Sequence, residues 1–260
     1  MSVRRPSLLL AGVCLASASS AVAWADSSPV SFVACAIYRD TNNGRKSGCW
    51  LATDNATGQR FDIGQSRSKP QLGHEVLVEG LSAGGDPVCG APVLLPVHVS
   101  VLETLCPSFM LPAEGLPGRR FAVSPAQVLP PTDTPRPAPA GPFINRDWAI
   151  EYSFQSDFLQ YQYSEVILDE IARYVLASHP KQVHITGYAV TDDRVVSGHH
   201  LSEPKSLAQD RAQRVALALQ RLGVPSTSMQ VDWNTHPKSA HIEDDLPEPS
   251  RRRVDIHVGY

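Results

Sequence analysis

The sequence predicts an α+β protein: a C-terminal β-α-β-α-β-β sandwich of two helices on a mixed four-stranded sheet, preceded by a small all-β domain of barrel or OB-like type. Three observations carry this. From Val30 to about Val123 apolar residues recur in short alternating runs without a helical period. Prolines then crowd in at 125, 130, 131, 135, 137, 139 and 142. Beyond them, two amphipathic helical patterns alternate with strands that each carry one apolar face, and such elements close a core when both helices cover one side of a sheet.

Taken in order, the first 25 residues carry an export-signal pattern: Arg4 and Arg5, a short apolar run from Leu8 to Ala18, then small residues at Ala21, Ala23 and Ala25. Cleavage there removes Cys14 and leaves Cys35, Cys49, Cys89 and Cys106. An even number of cysteines in an exported chain points to disulfides. The turn Thr41-Asn42-Asn43-Gly44 makes Cys35 with Cys49 the expected pair, and then Cys89 with Cys106. The four lack the paired close spacing of zinc sites, so no metal site is expected. Residues 26–123 form the expected all-β domain, with strands at Val33–Ile37, Cys49–Thr53, Gln59–Ile63, Glu75–Glu79 and Val93–Val101. Residues 124–142 read as a semi-rigid proline-rich spacer, and 143–260 as the second domain.

In that second domain Trp148, Ile150, Tyr152 and Phe154 alternate as a strand, a helix runs from about Ser164 to Ser178, and Pro180 stops it. Val183 and Ile185 start the next strand. Ser206 with Gln209 predicts a capping box for the second helix, whose apolar stripe is Ala212, Val215, Ala216, Leu219 and Leu222. Arg211, Arg214 and Arg221 are expected on its polar side. Met229, Val231 and Trp233, then Val254, Ile256 and Val258, alternate as the last two strands.

A net charge of -3 supplies no concentrated basic surface, which argues against nucleic acid. No apolar run after the first thirty residues is long enough to span a bilayer, so no transmembrane segment is expected in the mature chain. The nine histidines, including His199-His200, show no metal-ligand spacing, and no serine or cysteine nucleophile motif occurs. No cofactor and no catalytic group is expected. Loop carboxylates Asp192, Asp193, Glu243 and Asp244 could serve a periplasmic cell-wall hydrolase as acid and base, but they sit among many other charges.

Five landmarks from Trp148 to Val258 stand in a telling order: Phe154 to Asp157, Gly187-Tyr188-Ala189-Val190-Thr191-Asp192-Asp193, Leu207 to Val215 with Arg211-Ala212 inside it, Gly223-Val224, and Arg251 to Ile256. Together they resemble the OmpA-like peptidoglycan-binding domain family. The resemblance implies the sandwich fold and non-covalent binding of the diaminopimelate of the peptidoglycan stem peptide. It implies a periplasmic, cell-wall-associated location, and leaves open a place at the outer membrane and an envelope protein partner for the N-terminal domain. In the family an aspartate of a Gly-His-Thr-Asp loop and the arginine of Arg-Ala hold the ligand's ammonium and carboxylate, a task suited to an anion and a bidentate guanidinium. Here the arginine is Arg211. Counting directly from Gly187 puts Val190 at the aspartate's position, whereas a two-residue insertion brings Thr191-Asp192 into register, so the expected acid is Asp192, with Asp193 second and Thr191 and Arg252 in support. Tyr188 replaces the motif's histidine, and Arg251 the asparagine of the last motif. The alternative is an interaction module that keeps the fold and has lost the ligand.

Overall fold

A computed structural model describes residues 29–42, 48–83, 87, 89–113, 136–240 and 246–260. The export signal with Cys14, most of the proline-rich spacer, and Glu243 and Asp244 lie outside them. Among the described residues no helix is long and apolar enough to cross a membrane.

Among the described residues the N-terminal part has seven strands in two sheets. Strands β1 (Val30–Cys35), β5 (His74–Ser82) and β6 (Leu94–Leu105) form an antiparallel sheet in the order β1-β5-β6. Strands β2 (Ile37–Arg39), β3 (Cys49–Thr53), β4 (Arg60–Asp62) and β7 (Phe109–Leu111) form the second, in the order β4-β3-β2-β7. Phe32, Ala34, Ala52, Phe61, Ile63, Val76 and Val99 bury a core shared by both sheets. Cys35 is joined to Cys106 and Cys49 to Cys89, which corrects the expected pairing. Strands β2 and β3 do pair, but in their register Cys49 faces Arg39; Asn43 and Gly44 of the expected turn lie outside the described residues. Cys35 precedes β2 and belongs to the other sheet, where it meets the end of β6 across β5.

The C-terminal part has strands β8 (Arg146–Glu151), β9 (Gln182–Tyr188), β12 (Met229–Asn234) and β13 (Arg253–Gly259) in the order β12-β9-β13-β8. Only β12 and β9 are parallel, as the crossover through a helix between them requires. Helices α1 (Tyr163–Ser178) and α2 (Ser206–Arg221) pack on one face of this sheet over Ile150, Val183, Ile185, Val254, Ile256 and Val258. Helix α1 ends where His179 turns left-handed at φ 47° and donates its N–H to the Val175 carbonyl, one residue before Pro180. The expected capping box of α2 does not form: Lys205 precedes the helix without a side-chain cap, and the Leu207 N–H bonds to the Pro204 carbonyl. Gly187 is required by packing, since a Cβ there would lie 2.0 Å from the Ala208 carbonyl oxygen of α2. Two differences bear on the site. Strand β8 stops at Glu151, short of Phe154, because the chain turns away through Gln155 at φ 55°. An unanticipated hairpin of β10 (Arg194–Val196) and β11 (His199–Leu201) lies between β9 and α2.

The two parts share a core: Val33, Leu77 and Leu102 of the β domain pack with Phe154, Val196 and Leu201. Polar ties reinforce it, from Phe154 N–H to Ser100 Oγ at 2.8 Å, from Val33 N–H to Ser197 Oγ at 3.0 Å, and between Arg194 and Glu79 at 3.0 Å. The hairpin β10–β11 is thus held between the two domains.

Candidate functional site

Arg211 lies on the buried side of α2, in line with Ala208, Ala212, Val215 and Leu219. Its side chain and that of Glu203 are both 0% exposed. All five guanidinium N–H groups are used: Nε donates to the Ser156 carbonyl at 2.9 Å, Nη1 to the Tyr188 carbonyl at 2.7 Å and Glu203 Oε2 at 3.0 Å, and Nη2 to the Ser153 carbonyl at 3.2 Å and Glu203 Oε1 at 2.6 Å. Glu203 accepts two further bonds, from the Gln155 N–H at 2.9 Å and the Val190 N–H at 2.8 Å. The pair is bidentate and saturated, the condition under which ionic groups can be buried.

Tyr152 lies beneath the arginine, with the guanidinium carbon 5.1 Å from its ring centroid. Burial pushes the Tyr152 hydroxyl well above its usual pKa while the charge of Arg211 pulls the other way. That hydroxyl is buried without a hydrogen-bond partner among the described residues.

The other expected site residues lie in different company. Asp192, 56% exposed, pairs with Arg251 at 3.0 Å and with His236 at 3.3 Å. Asp193, 54% exposed, pairs with His200 at 2.6 Å. Thr191 Oγ1 donates to the Thr235 carbonyl at 2.9 Å. Arg252 is buried and pairs with Glu79 of the N-terminal domain, a tie between domains rather than an arm of a ligand site. The structure therefore does not bring the expected acids together with Arg211. The carboxylate that meets Arg211 is Glu203, at the end of the loop that carries the β10–β11 hairpin. Val190, not Asp192, lies beside the Arg211 partner, through its backbone N–H.

No family model matches the chain, and no curated protein matches it. Among solved structures, the peptidoglycan-associated lipoprotein from Burkholderia pseudomallei is 31% identical over 42% of this chain and 86% of that one, with a TM-score of 0.31. The OmpA-like domain of FopA1 from Francisella tularensis is 16% identical over 44% of this chain and 71% of that one, with a TM-score of 0.35. In this chain the sequence landmarks lie with Gly187 near the end of β9, Leu207 to Val215 opening α2, and Arg251 to Ile256 leading into β13. The C-terminal half of the chain is similar to OmpA-like domains. The cell wall anchor of the T6SS from Pseudomonas aeruginosa is a further neighbour, 21% identical over 44% of this chain and 81% of that one, TM-score 0.33.

Relative to the OmpA-like motif, the histidine position holds Tyr188, whose ring lies 4.4 Å from the Arg253 guanidinium carbon. Burial raises the Tyr188 hydroxyl, and the neighbouring Asp255 carboxylate raises it further. Glu203 has no counterpart among the landmarks. Its signal in the sequence was indirect: Arg211 stands three residues after Ala208 and four before Val215, within the apolar stripe, and an arginine there needs a buried anion.

Proposed function

We propose that this is an exported, non-enzymatic cell-envelope protein whose OmpA-like domain is an interaction module with its diaminopimelate site filled from within by Glu203. The observation that carries this reading is the two-pronged grip of Glu203 on Arg211, the motif arginine, with no N–H left for a ligand carboxylate. Val190 in the aspartate's register removes the anion that would meet the ligand's ammonium. The export-signal pattern and the likeness to OmpA-like domains support a place in the periplasm beside the cell wall. The shared core supports a rigid two-domain unit that presents the β domain to an envelope protein partner.

A second reading keeps peptidoglycan as the ligand, with the stem peptide displacing Glu203. It is favoured by the same pocket, since Arg211 already grips a carboxylate in the manner a ligand would be gripped. It is opposed by the anchoring of the hairpin next to Glu203, where Val196 and Leu201 lie in the interdomain core. Co-sedimentation with isolated murein sacculi separates the two. The first reading expects the wild-type protein to stay in the supernatant, and the double variant Val190→Asp with Glu203→Ala, which restores the acid and vacates the arginine, to gain retention. Retention of the wild type that is lost in Arg211→Lys, with folding intact, supports the second reading instead.

A further inference from the structure

The face of the C-terminal sheet turned away from the helices carries a row of side chains that neither domain covers. At one level of the sheet the register sets Gln230 of β12, His184 of β9, His257 of β13 and Asp147 of β8 side by side. His184 and His257 are direct cross-strand partners, with ring centroids 6.3 Å apart. His257 Nδ1 lies 2.6 Å from Asp147 Oδ1. That contact holds the ring through Nδ1 and leaves Nε2 over Gly259, 3.5 Å from where a Cβ would stand there, so the missing side chain keeps Nε2 uncovered on that side; a carboxylate on the other ring nitrogen is the arrangement that orients a metal-binding histidine.

We propose that His184 and His257, with Asp147 behind His257, bind a nitrogen-preferring first-row transition ion such as Zn²⁺ or Cu²⁺. A tetrahedral ion holding two imidazoles at about 2.0–2.1 Å sets their centroids roughly 5 Å apart. Rotation of the His184 ring covers the difference without backbone movement, because cross-strand partners already stand close. The surroundings suit a cation. Adjacent positions on this face are Gly259, Thr186 and Ala149, which crowd nothing, and Asp255 and Asp232, which are acidic; the nearest guanidinium on the face, Arg253, is bonded to Asp255 at 2.7 Å. Two imidazoles leave the remaining positions of the ion to water or to a donor from outside, so the site is of the open kind. The pair is invisible to a search for metal spacing along the chain, since the ligands lie on different strands and meet only through the β9–β13 pairing.

Zinc chloride titrated calorimetrically into the full chain, in a non-chelating buffer, tests this. The wild type is expected to show a saturable site, absent in His184→Ala with His257→Ala and weakened about 10-fold in Asp147→Asn. His200→Ala with His236→Ala, whose rings pair with Asp193 and Asp192, should leave it unchanged. Electron paramagnetic resonance of the Cu²⁺ form should show two imidazole nitrogens, and one in each single variant. Both histidines are on an accessible face, so the metal-free variants should unfold as the wild type does; His257→Gln, which can keep a bond to Asp147, is the second variant should His257→Ala lower stability. Absence of saturable binding, or binding unchanged in the double variant, overturns the proposal.

Discussion

Among the described residues two arginine–glutamate pairs are buried, and they do different work. Arg211 with Glu203 lies inside the OmpA-like domain, satisfied on all five N–H groups. Arg252 with Glu79 joins the two domains, leaves Arg252 Nε buried without a hydrogen-bond partner among the described residues, and shares its glutamate with the partly exposed Arg194. The first pair is complete in itself, and in the reading proposed above that completeness is what closes the site to a ligand. The second needs a second cation and the packing of two domains to persist. They are linked through the hairpin β10–β11, since Arg194 reaches Glu79 from one end and the loop beyond the other end delivers Glu203. The N-terminal domain thereby helps to hold Glu203 against Arg211.

Breaking the first pair should have the largest effect. Arg211→Ala leaves a buried glutamate unpaired and should cost about 3–5 kcal/mol in denaturant unfolding. Arg211→Met with Glu203→Leu, which removes both charges, should recover most of that loss. An arginine held for an external ligand would give a small stability change in the single variant, so the comparison of single and double variants separates a structural pair from a waiting site. Glu79→Ala should cost less, near 3 kcal/mol, because Arg194 can turn toward solvent while Arg252 cannot.

Acid sharpens the contrast. Burial raises the Glu79 carboxyl, but Arg252 and Arg194 outweigh it and hold the group below its usual range. A carboxylate depressed in the folded state adds stability that is present above its unfolded pKa and is lost as pH falls through the lower folded value. Unfolding midpoints should therefore hold between about pH 7 and 5 and fall below about pH 4, with a smaller fall in Glu79→Gln. The smallest effect belongs to the exposed acids: Asp192→Ala and Asp193→Ala should each change stability by less than about 0.5 kcal/mol.

The fold of the C-terminal half was legible because each of its elements follows one period: Ile150, Ile185 and Ile256 alternate, and Val215 and Leu219 recur at helical spacing. The same stripe also contained the warning about Arg211, which the expectation of a charged face overrode. The hairpin β10–β11 escaped notice because Arg194-Val195-Val196 and His199-His200-Leu201 are three-residue runs, too short for a period to register. Disulfide pairing depended on which sheet Cys35 joins, a matter of non-local strand pairing that the turn at Thr41 does not decide. Glu203 was invisible as a ligand to Arg211 for a related reason: the contact is made by a loop whose course is set by the neighbouring domain. Asp192 and Asp193 had the right chemistry in a plausible register, but solvent and the partners Arg251 and His200 claim them.

Calorimetric titration of a diaminopimelate-containing stem peptide into the full-length wild type and into Val190→Asp/Glu203→Ala tests the internal occupation of Arg211 most directly. No saturable heat from the wild type and saturable binding by the double variant is the predicted result. Saturable binding by the wild type at one site per chain, abolished by Arg211→Lys in a folded protein, would contradict it.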